Sequence, residues 1–228
     1  MPRSLIPLNA MGITRGIMLP QGDPDAHRTR GRAREAGASH MNPLHHWICR
    51  SGLWRKHLKT GLLPWALGDL DLGVDVLEIG PGYGLTTDVL RARVSRLTCV
   101  EVDRAMALSL SRRTAGANVT VVHADAVHMP LRNASFSAAI CFTMLHHVPS
   151  FRLQDELLAE VARVLRPGGV FAGTDSLYSG LFGLIHFGDT MTVVDPAAFP
   201  QRLHAAGFTE IQVETGRRSF RFRARRRE

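Results

Sequence analysis

Cysteine, lysine and tyrosine are scarce in this chain, and it has no long apolar run. Its three cysteines, Cys49, Cys99 and Cys141, are odd in number and far apart, which argues against a disulfide framework and against a zinc site built on cysteine. Cys99 and Cys141 sit inside apolar stretches that read as buried strands, so a reducing, cytoplasmic setting is expected. No stretch approaches the roughly 20 apolar residues that span a bilayer, and residues 1–20 lack an uninterrupted apolar signal core. Only two lysines stand against 26 arginines, a bias more natural to genomic base composition than to phosphate binding, although arginine is the better phosphate ligand.

The net charge of +8 is carried by the ends. Residues 1–40 hold six arginines against three acids, residues 217–228 hold seven against one, and the rest is near balance at 15 bases and 16 acids. A function in nucleic-acid association, as RNA binding or RNA methylation through the arginine-rich ends, is therefore an alternative to carry forward. With 45% hydrophobic residues, 228 residues support one α/β domain with a sizeable core and an extension. Residues 1–40 show no sustained period and are expected to be a disordered extension, with the folded part starting near Met41. Residues 41–70 read as lid helices: Leu44, Trp47 and Ile48 form one apolar face, and Trp54, Leu58 and Leu62 form a second running to Pro64. Trp47 and Trp54 are candidates to face a substrate. Residues 71–228 form the main domain.

The densest information lies in Val76-Leu77-Glu78-Ile79-Gly80-Pro81-Gly82-Tyr83-Gly84, a buried strand running into a glycine turn that opens a helix. Such a turn lets a ligand approach the backbone and meet free N–H groups at a helix start. A dinucleotide fingerprint would place its third glycine where Leu85 stands, so the spacing disfavours NAD. Glu78 beside the loop would repel a pyrophosphate and tolerate an ammonium or sulfonium. Further on, Leu97-Thr98-Cys99-Val100-Glu101 is a second strand ending in an acid, 21 residues after Gly80. Val119 to Ala126 reads as a third strand closing on Asp125, and Ala138 to Val148 as a fourth entering Thr143-Met144-Leu145-His146-His147. The helix from about Leu153 to Arg166 gives way at Pro167-Gly168-Gly169 to a fifth strand.

In this order, over residues 74–174, these features resemble the class I S-adenosylmethionine-dependent methyltransferases, and within them the small-molecule branch that includes ubiquinone and menaquinone biosynthetic enzymes. The resemblance implies a Rossmann-like α/β fold, a seven-stranded mostly parallel sheet with a C-terminal β-hairpin, and S-adenosyl-L-methionine as cofactor. It implies a cofactor site of Glu78, Gly80, Gly82, Gly84, Glu101, Asp125, Ala126 and Thr143, with Glu101 on the ribose hydroxyls and Asp125 with Ala126 at the adenine. The hairpin is also legible from alternation in Glu210 to Glu214 and in Ser219 to Arg225, where Arg221, Arg223 and Arg225 share a face opposite Phe220 and Phe222. That arginine face reads as solvated or as a surface for RNA or an acidic partner.

Methyl transfer needs an acceptor held in near-attack geometry, and a histidine could remove the proton of a protic acceptor. His146 and His147 are the catalytic candidates. Asp175 to Asp195 lacks a clear period and is expected to be an irregular loop lining the acceptor pocket, with Asp175, Tyr178, His186 and Asp189 as polar liners. No metal site is expected, because the neighbours in His45-His46 and in His146-His147 cannot share a face. The strand-four loop, Phe142-Thr143-Met144-Leu145, lacks the Pro-aromatic signature of base amino-group methylation. A small-molecule acceptor is therefore the leading partner, with no nucleic-acid partner and no membrane span expected.

Overall fold

The computed structural model describes residues 42–228, and the predicted extension over 1–40 lies outside the described residues. Its helical opening consists of α1 (Pro43–Arg50), α2 (Gly52–His57) and α3 (Leu63–Leu67), with a single π-helical turn over Leu58–Leu62 between α2 and α3. The helix expected to run to Pro64 continues past it. Pro64 has no N–H to give, and the wider turn before it lets the helix run through to Gly68, whose φ of 49° ends it.

Seven strands follow: β1 (Asp75–Ile79), β2 (Arg96–Glu101), β3 (Val119–His123), β4 (Phe136–Phe142), β5 (Leu165–Ser176), β6 (Phe208–Thr215) and β7 (Ser219–Arg226). They form one sheet in the order β3-β2-β1-β4-β5-β7-β6, parallel through β5, with β7 antiparallel to both β5 and β6. The predicted mostly parallel seven-stranded sheet with a terminal hairpin is this sheet. The connecting helices are α4 (Thr87–Leu90), α5 (Arg104–Arg113), α6 (Phe151–Val164), α7 (Gly180–Ile185) and α8 (Phe199–Ala205). The predicted start of α6 moves back to Phe151, because Ser150 caps it by accepting from the Leu153 N–H at 3.3 Å.

Parallel strands covered on both faces need apolar residues on both sides. Leu77 and Ile79 of β1 meet Leu157, Leu158 and Val161 of α6 on one face, while Val76 meets Leu63, Leu67 and Leu90 on the other. Phe220 and Phe222 bury wholly against Phe199, and Phe222 also lies 4.8 Å from the Phe171 ring. Each such ring contributes about 1.5–3 kcal/mol.

The arginines on the other face of β7 are engaged. Arg221 donates to the Trp65 carbonyl and pairs with Glu214. Arg223 Nε donates to the Ala66 carbonyl at 2.8 Å, and Arg225 pairs with Glu210 and donates to Gly168 O. The expectation of a solvated arginine face is corrected for Arg221 and Arg223, whose cations at the open C-terminal carbonyls of α3 complete that helix end and fasten it to the sheet, while Arg225 stays exposed.

Candidate active site

From β1 the chain turns to β2 on one side, while β4 pairs on the other, so a crevice opens at the carboxyl ends of these strands. A cavity of about 1130 Å³ occupies it. That exceeds the roughly 300–1,000 Å³ of ordinary ligand pockets. Of the residues picked from sequence, Gly80, Gly82, Glu101, Asp125, Ala126, Thr143, His146 and His147 line this one cavity. Glu78 and Gly84 stand behind it.

Gly82 shows why the loop needs glycine. Its φ is +53°, and a Cβ there would meet no atom within 4 Å, so it would project into open cavity. Gly84, at φ +71°, is tight instead: a Cβ would come within 2.3 Å of Arg113 Nη2 and 2.5 Å of Leu110 Cδ1. Glu101 is buried and accepts from the Gly82 N–H through Oε2 and from the Asp103 N–H through Oε1, both at 2.9 Å. Burial pushes its carboxyl upward, against those two backbone bonds. Asp125 Oδ1 accepts from Val127 N at 3.0 Å.

Glu78 departs from its expected place beside a ligand. Its carboxylate is buried, accepts from the Thr86 hydroxyl and, at 2.6 Å, from the Thr87 hydroxyl, and touches Cys99 Sγ at 3.4 Å. It braces the start of α4 from below. Desolvation raises its pKa, partly offset by the Thr86, Thr87 and Cys99 bonds. Thr143 carries a φ of +47°, an uncommon conformation for a β-branched residue, and its N–H donates to Thr174 O at 2.8 Å where β4 leaves the sheet.

The opposite wall comes from α1 and α7. Tyr83 of the glycine loop meets His46 of α1, with its hydroxyl 2.5 Å from Nδ1. Asn42 caps α1 by accepting from the His45 N–H at 2.9 Å, while its own side-chain amide donates to Ile185 O at 2.7 Å at the end of α7. The predicted irregular loop thus contains a helix, started by Ser179, whose Oγ accepts from Phe182 N. Trp54 lines the cavity, whereas Trp47, 71% exposed, and Tyr178, 66% exposed, do not.

Four imidazoles converge at the junction of these walls. His146 Nδ1 lies 2.5 Å from Asp175 Oδ1, and its backbone N–H donates to Oδ2. His45 Nδ1 lies 2.7 Å from Asp189 Oδ2, and His186 Nδ1 donates to Phe182 O at 2.8 Å. His146 Nε2, His147 Nδ1 and His186 Nε2 are buried with no hydrogen-bond partner among the described residues. Burial drives His147 well below the usual histidine range, helped by the neighbouring His146, and pushes His186 down to about 4. His147 is accordingly a weak base, not the near-neutral one its position suggests. Sequence alone marked His146, His147 and His186 but missed His45, His46 and Tyr83, whose roles depend on α1 folding over the loop.

Residues 77–173 match a family model described as a methyltransferase domain. An uncharacterized methyltransferase of Mycobacterium tuberculosis is 33% identical over 113 residues, covering 48% of this chain and 56% of that protein. The chain thus spans about half the length of that relative. A fatty-acid O-methyltransferase of Mycolicibacterium smegmatis is 35% identical over 106 residues, 46% of this chain and 38% of that one. Among solved structures, a phosphoethanolamine N-methyltransferase 2 of Haemonchus contortus, in complex with phosphomonomethylethanolamine and S-adenosylhomocysteine, superposes with a TM-score of 0.63 at 14% identity, over 82% of this chain and 61% of that chain.

Proposed function

We propose, on the premise that residues 77–173 form a class I S-adenosylmethionine-dependent methyltransferase domain, that this chain methylates a small molecule held between the glycine loop and α1 and α7. The observation that carries the reading is the open space over Gly82, bounded by a buried acid at the end of β2. Each Glu101 oxygen accepts one backbone N–H, which leaves lone pairs for two ribose hydroxyls. The cavity is large enough for donor and acceptor together.

When bound, S-adenosylmethionine supplies an electrophilic methyl carbon. The chain's own residues bind, orient and exclude water. Gly80 and Gly82 admit close approach, Glu101 and Asp125 with Ala126 hold the nucleoside end, and α1 and α7 roof the acceptor. His146, with Nδ1 engaged by Asp175, keeps Nε2 for the proton of a protic acceptor. The small-molecule reading is favoured over the nucleic-acid one because Arg221 and Arg223, two of the arginines that suggested a nucleic-acid surface, make internal contacts to the carbonyls of Trp65 and Ala66.

Calorimetric titration of S-adenosylmethionine and S-adenosylhomocysteine into the full chain and Glu101→Ala tests the reading. Micromolar binding weakened by on the order of 1.5–3 kcal/mol in the variant is expected. A folded chain that binds neither compound refutes it.

A further inference from the structure

We propose that His45, His147 and His186 form a site for a divalent transition-metal cation of the zinc type at the acceptor end of the cavity. Each offers one imidazole nitrogen, and these atoms lie within 4.8 Å of one another. Ligands around a tetrahedral zinc sit roughly 3.3 Å apart, given bonds of about 2.0–2.1 Å. Small side-chain rotations therefore close the set. The sequence argument against adjacent histidine pairs holds, but the fold draws one member from each pair and adds His186 from α7.

Three further observations point to a cation. The first is orientation: the His45 ring is held by a carboxylate and the His186 ring by a backbone carbonyl, both through Nδ1. That is the outer arrangement that fixes metal-binding histidines and directs Nε2 inward. Asp189 is itself secured, accepting from the Asn42 N–H at 2.6 Å. The second is the presence of nitrogens with nothing to bind: His147 Nδ1 and His186 Nε2 are buried without a partner, a cost that a ligand would remove. The third is charge: the Asp175 and Asp189 side chains are fully buried, and beside their backbone N–H donors the only cationic partner of each among the described residues is a histidine. A divalent cation offsets two buried carboxylates.

Three histidines leave a fourth tetrahedral position, and all three rings line the cavity. An acceptor oxygen, nitrogen or sulfur can coordinate there. That last step rests on the methyl-transfer reading, whereas the metal site does not.

Cobalt(II) titration of the full-length, chelator-treated chain, followed by visible absorption and by metal analysis after dialysis, reads the site with neither donor nor acceptor present. One cobalt per chain is expected, with an intense tetrahedral band that zinc displaces. His147→Ala and His186→Ala should abolish it, Asp189→Asn should weaken binding roughly 10–100-fold, and exposed His204→Ala should leave it unchanged. Circular dichroism establishes that each variant is folded. If the histidine variants do not fold, Asp189→Asn and His45→Gln decide the matter. The absence of a stoichiometric band, or a band that survives in the folded variants, overturns the proposal. Donor titration separates its failure from that of the methyltransferase reading.

Discussion

Gly82 and Gly84 are two residues apart in one loop, yet replacing each with alanine should damage different properties. At Gly82 the penalty is conformational only: about 1–2 kcal/mol for a left-handed alanine, less about 0.4–1 kcal/mol from a stiffer unfolded chain. No neighbour lies within 4 Å of the new methyl. The net loss is about 1 kcal/mol, or about 2–4 °C in Tm for a chain of this size. The methyl, however, occupies cavity space, and donor affinity should fall at least about tenfold, equivalent to about 1.4 kcal/mol. At Gly84 the same backbone penalty is joined by overpacking against Leu110 and against Arg113, which is pinned by Asp88 and two loop carbonyls. Overpacking adds about 1–3 kcal/mol, so about 3 kcal/mol in all and about 6–12 °C are expected. Donor affinity should hold in whatever fraction remains folded. Calorimetric titration together with thermal unfolding of both variants provides the comparison. An unchanged donor Kd in Gly82→Ala, or a larger affinity loss in Gly84→Ala than in Gly82→Ala, would refute the assignment of the open space to the donor.

Two other substitutions probe the supports. Because burial raises the Glu78 pKa, the folded chain takes up that proton more readily than the unfolded one, and stability is lost as pH rises from the ordinary carboxylate pKa through the raised value. Glu78→Gln keeps an acceptor for the threonine hydroxyls without the charge, so its stability relative to wild type should improve with pH above about 4.5; urea midpoints that differ equally at pH 5 and pH 8 would contradict this. Tyr83→Phe removes the hydroxyl that meets His46, and hydrogen exchange in α1 should accelerate by a factor matching about 1 kcal/mol, with protection in α6 unchanged. Equal protection of α1 in both proteins would mean that this contact does not hold the helix down.

Most of the proposed donor site was legible because it is local. A strand, a glycine turn and a helix start occupy consecutive residues at 76–90, and Glu101 ends β2 while Asp125 lies two residues past β3. Glu78 was placed wrongly because alternation gives the face of a strand residue but not what fills that face, here Thr86, Thr87 and Cys99. The histidine cluster was illegible for a different reason. His45, His147 and His186 come from segments separated by about a hundred and by about forty residues, and only the closure of α1 and α7 over the sheet's edge brings them together. The arginines of β7 alternated as expected, but their partners, the carbonyls of Trp65 and Ala66, belong to a helix that no pattern in the hairpin reveals.

Those carbonyl contacts impose an order on synthesis. Trp65 and Arg221 are 156 residues apart, as are, within one residue, Ala66 and Arg223. At the usual pace of translation, about 5–20 residues per second, the helical opening waits roughly 8–30 s before the strand that fastens it has been made. On the ribosome, the carbonyl end of α3 thus stays uncapped until β7 has been made, whereas the contacts that hold α1 come from residues synthesised earlier.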